Sequence, residues 1–216
     1  MIKYFKSTVK NVGFLLILLN TGILITQEIP LKKIIVIDPG HGGIDSGAVG
    51  LYDQEKDIVL SMALELSQWN HQLFENTYEL HLTRSSDTLI SLSHRMAMAK
   101  KLKADAFISI HCNAGASSAK GIEVFVPEIQ GVYAVETSKM AAAILREFQY
   151  KLSFNSRGIK MANFRLLKQS IHDYPAILLE LGFITNKDEG LYFSRKQHIK
   201  AMALAILLGL INYLNY

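Results

Sequence analysis

At 216 residues, half of them hydrophobic, the chain can bury one sizeable core and reads as a single domain. Its 23 basic and 19 acidic residues leave a formal charge of +4, a mild excess that favours anionic surroundings such as an acidic polymer or lipid head groups. Lys and Arg are dispersed, with no basic block interleaved with aromatics, so nucleic acid is disfavoured; the lone cysteine, Cys112, excludes an internal disulfide.

Lys3, Lys6 and Lys10 precede the apolar run from Val12 to Thr26, the pattern of a signal peptide. The run contains Asn20 and is short for a membrane span, which needs roughly 20 residues. QEIPLKK, which follows, offers no small-x-small cleavage site, so an uncleaved anchor is an open alternative and a buried N-terminal helix a third. Residues 1–30 are therefore expected to be a signal peptide or membrane anchor and residues 31–216 the folded domain. Export to the periplasm or cell envelope follows, with membrane contact only through the N-terminal segment.

The domain opens with four branched apolar residues, Ile34 to Ile37, which read as a strand buried on both faces and stopped by Asp38-Pro39-Gly40. His41 comes next, in a glycine-rich turn with Gly42 and Gly43. After Gly50, Ile58, Met62 and Leu66 recur with Val59 and Ala63 as the inner face of a helix, with Glu55 in its first turn. Tyr78 to Thr83 alternates as a strand near a sheet edge, and a helix follows from Leu89 to Leu102 with Leu92, Met96 and Ala99 inward. Ala104 to Ile110 is a central strand ending at His111, and Gly121 to Val126 is another. Val135 to Leu152 is helical, with Met140, Ile144, Leu145 and Phe148 on one side; Phe164 to Lys168 reads as a short strand. Ala176 to Phe183 is the most apolar strand of the domain, and Gln197 to Leu214 closes it as a helix. Alternating strands and helices predict an α/β fold, with a twisted, mainly parallel sheet of about six strands and helices on both faces.

Four residues stand out as carriers of chemistry. His41 and His111 both follow the carboxyl end of an apolar strand, where open parallel sheets collect their binding sites. Glu180 lies inside ILLELGF, where an ionised carboxylate costs several kcal/mol unless paired, hydrogen-bonded or near a metal. Glu55 is ambiguous on spacing alone, because an acidic residue in a first helical turn is favoured by the helix dipole. Two histidines and a carboxylate form a common catalytic zinc arrangement, with a second carboxylate available as base. No HExxH motif is present, so the ligands would come from separate elements. Ser46 and Ser109 lack the GxSxG elbow, and the Cys112 side chain should point away from that of its neighbour His111. His71, His81, His94, His172 and His198 read as solvated. Asp38 and Asp45 read as turn formers or supports for His41, and Arg84, Asp87 and Arg95 as a structural charge cluster.

These residues sit in IVIDPGHGGIDSGAVG, QEKDIVLSMALEL, LTRSSDTLISLSHR, ADAFISIHCNA, GIEVFV, SRGIK and PAILLELGFITN, in that order. The set resembles the zinc-dependent N-acetylmuramoyl-L-alanine amidases of the amidase-3 family, bacterial cell-wall hydrolases, over nearly all of residues 34–210. The resemblance implies one zinc ion on His41, Glu55 and His111, Glu180 as the catalytic carboxylate, and cleavage of the lactyl–L-alanine amide in peptidoglycan. Asn113 and Arg157 become candidate substrate contacts, and an activator or recruiting protein a candidate partner. Cys112 replaces a usual small residue and Ser156 a common acidic one, neither at a proposed ligand. The short segment between Val126 and Val135 leaves no space for the helical insertion that covers the site in some members. A zinc peptidase or deacylase acting on the same polymer, and a wall-binding protein without catalysis, are the competing readings.

Overall fold

The computed structural model describes residues 31–129 and 131–215. The leader-like segment lies outside the described residues. Six strands, β1 (Ile34–Pro39), β2 (Glu79–Leu82), β3 (Ala106–Asn113), β4 (Ile122–Pro127), β5 (Ser156–Ala162) and β6 (Ala176–Phe183), form one sheet in the order β2-β1-β3-β6-β4-β5. All neighbouring pairs are parallel except β4 with β6. The exception has a local cause. Only residues 114–121 join β3 to β4, too few for the crossover that a parallel return requires, so β4 runs back antiparallel.

The helices are α1 (Glu55–Phe74), α2 (Leu92–Leu102), α3 (Ala134–Leu152), α4 (Arg165–Ser170), α5 (Lys187–Phe193) and α6 (Lys196–Leu214). Period-two alternation divides the sheet residues between two faces. Ile35, Ile37, Ile108, Ile110, Ile177 and Leu179 join the inner stripes of α1, α3 and α6 in the larger core. Val36, Phe107, Ala176 and Leu178 pack with Met96, Leu166 and Leu167 from α2 and α4 on the other face. The helices thus lie on both faces, as the alternation of elements predicted. Helix α6 is long and apolar enough to cross a membrane, yet half of its most apolar window is buried within the fold, against α1 and α3.

Three local expectations are corrected. Phe164 to Lys168 is not a strand: α4 begins at Arg165, and the adjacent Leu166 and Leu167 both reach the core, as a helical turn laid on a sheet allows. The strand in this stretch is β5 instead, at the edge opposite β2, where Arg157, Gly158 and Lys160 break the apolar alternation. Helix α2 starts at Leu92, capped by the Ser91 side chain accepting from His94 N, and Leu92 is exposed while Arg95 is buried in its stead. Helix α5, too short for a periodic signal and interrupted by Gly190, was not expected; Asn186 caps it by accepting from Asp188 N and Glu189 N.

Candidate metal centre

The carboxyl ends of β1, β3 and β6 lie along one edge of the sheet, joined there by the amino end of the antiparallel β4. Register aligns His111 of β3 with Glu180 of β6, and Glu180 with Glu123 of β4, so three ionisable side chains form a row across three strands on one face. Cys112, one residue on, faces the opposite core and is buried; burial pushes its thiol pKa up, and it takes no part in the site.

His41, Glu55 and His111 each offer a ligand atom, all within 4.8 Å of one another. His41 Nε2 lies 3.1 Å from Glu55 Oε1 and His111 Nδ1 lies 2.9 Å from the same oxygen. The opposite ring nitrogens are also held, His41 Nδ1 by Asp45 Oδ2 at 2.9 Å and His111 Nε2 by Ser109 Oγ at 3.1 Å. Those outer contacts fix which nitrogen of each ring turns inward. Glu55 enters from the first turn of α1, where its Oε2 accepts from Ala48 N at 2.7 Å and its Oε1 from Cys112 N at 3.0 Å. The helix-dipole explanation of Glu55 is therefore incomplete, because the carboxylate is buried and turned into the cluster.

Close approach here depends on two glycines. A Cβ on Gly40 would stand 2.3 Å from His111 Cε1, and one on Gly47 would stand 2.5 Å from Glu55 Oε2. His41 itself adopts φ 56, the left-handed region seldom used by non-glycine residues. The strain is held by buried arginines. Arg84 donates to the carbonyls of Pro39, Gly40 and Lys56, and Arg95 to those of Pro39 and His41 and to Asp38 Oδ1 at 2.6 Å. Asp87 accepts from Gly43 N and Lys56 Nζ. The expected charge cluster is thus the clamp on the loop that carries His41.

Ser109, Asp38 and His111 form a hydrogen-bonded chain, but Ser109 is fully buried between the other two and cannot reach a substrate as a nucleophile. Glu180 has one carboxylate oxygen, Oε2, buried without a hydrogen-bond partner among the described residues. Burial lifts its pKa to about 7, opposed by the nearby His111 imidazole. Hydrogen bonding to Glu55 raises His41 to about 9. At Glu55, burial works to raise the pKa and is overcome by the two imidazoles, which hold it well below the usual carboxylate range.

Two imidazole nitrogens and one carboxylate oxygen, with a partnerless acid alongside, fit the donor set of a catalytic zinc site. Asn113 and Arg157 do not reach the three ligands; both turn to Glu123, through Asn113 Nδ2 to Oε1 at 2.7 Å and Arg157 Nε to Oε2 at 2.6 Å. Glu123 and Lys160 were missed in the sequence, although a buried acid in GIEVFV is the same anomaly that exposed Glu180. An open cavity of about 630 Å³ borders His41 and His111 on the α2 side, lined by Leu89, Ile90, Leu92 and the exposed His94.

A sequence model of the N-acetylmuramoyl-L-alanine amidase family matches residues 35–212. The chain is 36% identical to the uncharacterized protein YqiI of Bacillus subtilis over 182 residues, 84% of each. It is 35% identical to the probable cell wall amidase LytH of Staphylococcus epidermidis, covering 85% of this chain but 60% of that one. Among solved structures, the catalytic domain of CwlV, an N-acetylmuramoyl-L-alanine amidase from Bacillus (Paenibacillus) polymyxa var. colistinus, superposes with TM-score 0.76 at 33% identity, covering 85% of this chain and 98% of that one. The CwlD amidase of Clostridioides difficile, solved in complex with the GerS lipoprotein, gives TM-score 0.73 at 27% identity over 85% of this chain and 99% of that one. With the fold, the edge of the sheet and the match over residues 35–212 in agreement, the chain belongs to the N-acetylmuramoyl-L-alanine amidase family and is a hydrolase of that type.

Proposed function

We propose that this chain cleaves the amide between the lactyl group of N-acetylmuramic acid and the L-alanine that begins the peptidoglycan stem peptide. In this reading one zinc ion is held by His41, Glu55 and His111, and Glu180 transfers the proton. The observation that carries it is the convergence of His41 Nε2, His111 Nδ1 and Glu55 Oε1 beside a buried carboxylate oxygen without a hydrogen-bond partner among the described residues.

Zinc at these ligands supplies a Lewis acid that lowers the pKa of water towards about 7 and polarises a carbonyl. The rest belongs to the chain. Glu180, whose buried oxygen lies beside these ligands and whose pKa burial raises in the metal-free chain, is the group placed to accept a proton from the attacking water. As the new C–O bond forms and the C–N bond breaks, Glu180 returns that proton to the alanyl nitrogen, leaving a lactyl carboxylic acid and a free amine. Asp45 and Ser109 hold the imidazoles in orientation, and the Arg84 and Arg95 clamp keeps the His41 loop from relaxing. Six residues, from Glu128 to Tyr133, connect β4 to α3, too short a link to carry a covering helix, which supports an uninhibited site. Export through the N-terminal segment is proposed from its basic lead and apolar run, and from the cell-wall relatives. An activator or recruiting protein is proposed from the likeness to CwlD, which was solved with GerS.

Glu180→Gln is expected to retain zinc while turnover falls by about 10²–10⁴. His41→Ala is expected to lose zinc and activity together. Metal analysis with mass spectrometry of digested peptidoglycan tests both. Intact stem peptides with unsubstituted glycan are the expected products; cleavage within the peptide would instead identify a peptidase.

A further inference from the structure

The row His111, Glu180, Glu123 continues on to two cations. Glu123 is a buried carboxylate, its side chain 4% exposed, that receives Arg157 Nε at 2.6 Å and Lys160 Nζ at 2.5 Å on one oxygen and Asn113 Nδ2 on the other. Residues 157 and 160 have opposite parity, so in a regular strand they would face opposite sides of the sheet. A register shift lies opposite Glu123: Ile122 pairs with Ser156, but Val124 pairs with Ile159. Gly158 sits in the extra position with φ +85, and a Cβ there would meet nothing, so the bulge is set by backbone conformation rather than crowding. Its effect is to turn Arg157 and Lys160 to the same face, a common use of bulges beside active sites.

The two cations exceed the one anion that holds them. Among the described residues the terminal nitrogens of Arg157 have no protein partner, and the guanidinium is fixed 4.9 Å above the Phe183 ring. The Arg157 and Lys160 side chains remain 35% and 38% exposed. A rigid guanidinium fork with free donors, beside an ammonium, suits a carboxylate.

We infer that Arg157 and Lys160, turned inward by the Gly158 bulge and carried on Glu123, form a subsite for a carboxylate on the leaving peptide, one residue beyond the alanine. This rests on the proposed amidase reaction. Glu180 delivers its proton to the leaving nitrogen, so the peptide departs on the Glu180 side of the ligands, towards β4 and β5, while the Leu89 and Leu92 cavity on the far side is left for the glycan. Two strand spacings separate β6 from β5, about 10 Å, within reach of a side-chain or α-carboxylate on the second residue of an extended peptide and the long cation side chains. Glu123 is a positioning residue, and Arg157 and Lys160 are the groups that touch substrate.

The test compares kcat/KM for two muropeptides differing only at the second stem residue, free carboxylate against carboxamide. The wild-type full chain is expected to prefer the carboxylate at least 10-fold, chiefly through KM, with the preference shrinking as salt rises. Arg157→Gln with Lys160→Gln should bring the ratio close to one, as should Glu123→Gln, while Lys160→Arg keeps it. Melting temperature identifies any variant that fails to fold, and the wild-type ratio stands independently of the variants. Equal rates on both substrates in the wild type, or an undiminished ratio in a folded double variant, overturns the subsite and leaves the amidase reading intact. No cleavage of either substrate overturns both.

Discussion

Glu180 concentrates the conflict between folding and chemistry in one side chain. Its native pKa of about 7 lies above the ordinary value of 4.5, so the native state holds a proton that the unfolded chain releases between those values. The sign follows: stability is unaffected below about pH 4, falls as pH rises towards 7, and stays reduced above it. In the metal-stripped protein, Glu180→Gln should therefore raise the melting temperature at pH 8 but not at pH 4, the difference amounting to about 3 kcal/mol. Thermal unfolding at the two pH values measures it, and equal shifts at both would mean that the carboxylate is solvated. The same residue was conspicuous in the sequence because a charge inside ILLELGF has no structural reason to be there. Glu123 in GIEVFV carries the same signal and was missed, and its partners Arg157 and Lys160 arrive from an edge strand whose pattern is broken by the bulge that brings them.

At the scale of elements, the His41 loop works because α1, α2 and the chain after β2 hold it. Arg84 is buried and satisfies carbonyls at Pro39, Gly40 and Lys56, tying the loop to the start of α1, which carries Glu55. Arg84→Ala removes the ties to Gly40 and Lys56, with Pro39 still met by Arg95, and frees His41 to leave its left-handed conformation. Zinc affinity is expected to fall by about 10–100-fold, the usual effect of removing an outer support, with the sheet intact. Competition with a chromophoric chelator reads the affinity, and circular dichroism reads the fold. An unchanged affinity would mean that the Arg95 contacts alone suffice.

For the molecule as a whole, the apolar α6 locks the larger core by crossing α3 at close range. A Cβ on Gly209 would stand 2.7 Å from Ile144 Cα and 3.0 Å from Ile144 N. Gly209→Ala gains up to about 1 kcal/mol of helix propensity. The clash is with backbone, which cannot rotate aside, and overpacking of this kind costs about 1–3 kcal/mol. The clash should win, and chemical denaturation should show a lower midpoint; a higher one would mean that the two helices slide apart freely.

The sequence by itself determined the layered α/β class, five of the six strands, the inner faces of the long helices, and the two histidines and one acid that stand out at strand ends. Those signals are local: periodicity, glycine turns and a charge in an apolar run each need only a few neighbouring residues to be legible. Its reading of Glu55 stayed even, since a first-turn acid looks the same whether it serves a dipole or a metal. Only the tertiary structure decided the antiparallel return of β4, the alignment of His111, Glu180 and Glu123 across three strands, and the pairing of residues 157 and 160 on one face. Register and bulges depend on partners far away along the chain, and a one-residue slip turns every side chain to the other side, so no local pattern could have specified that row.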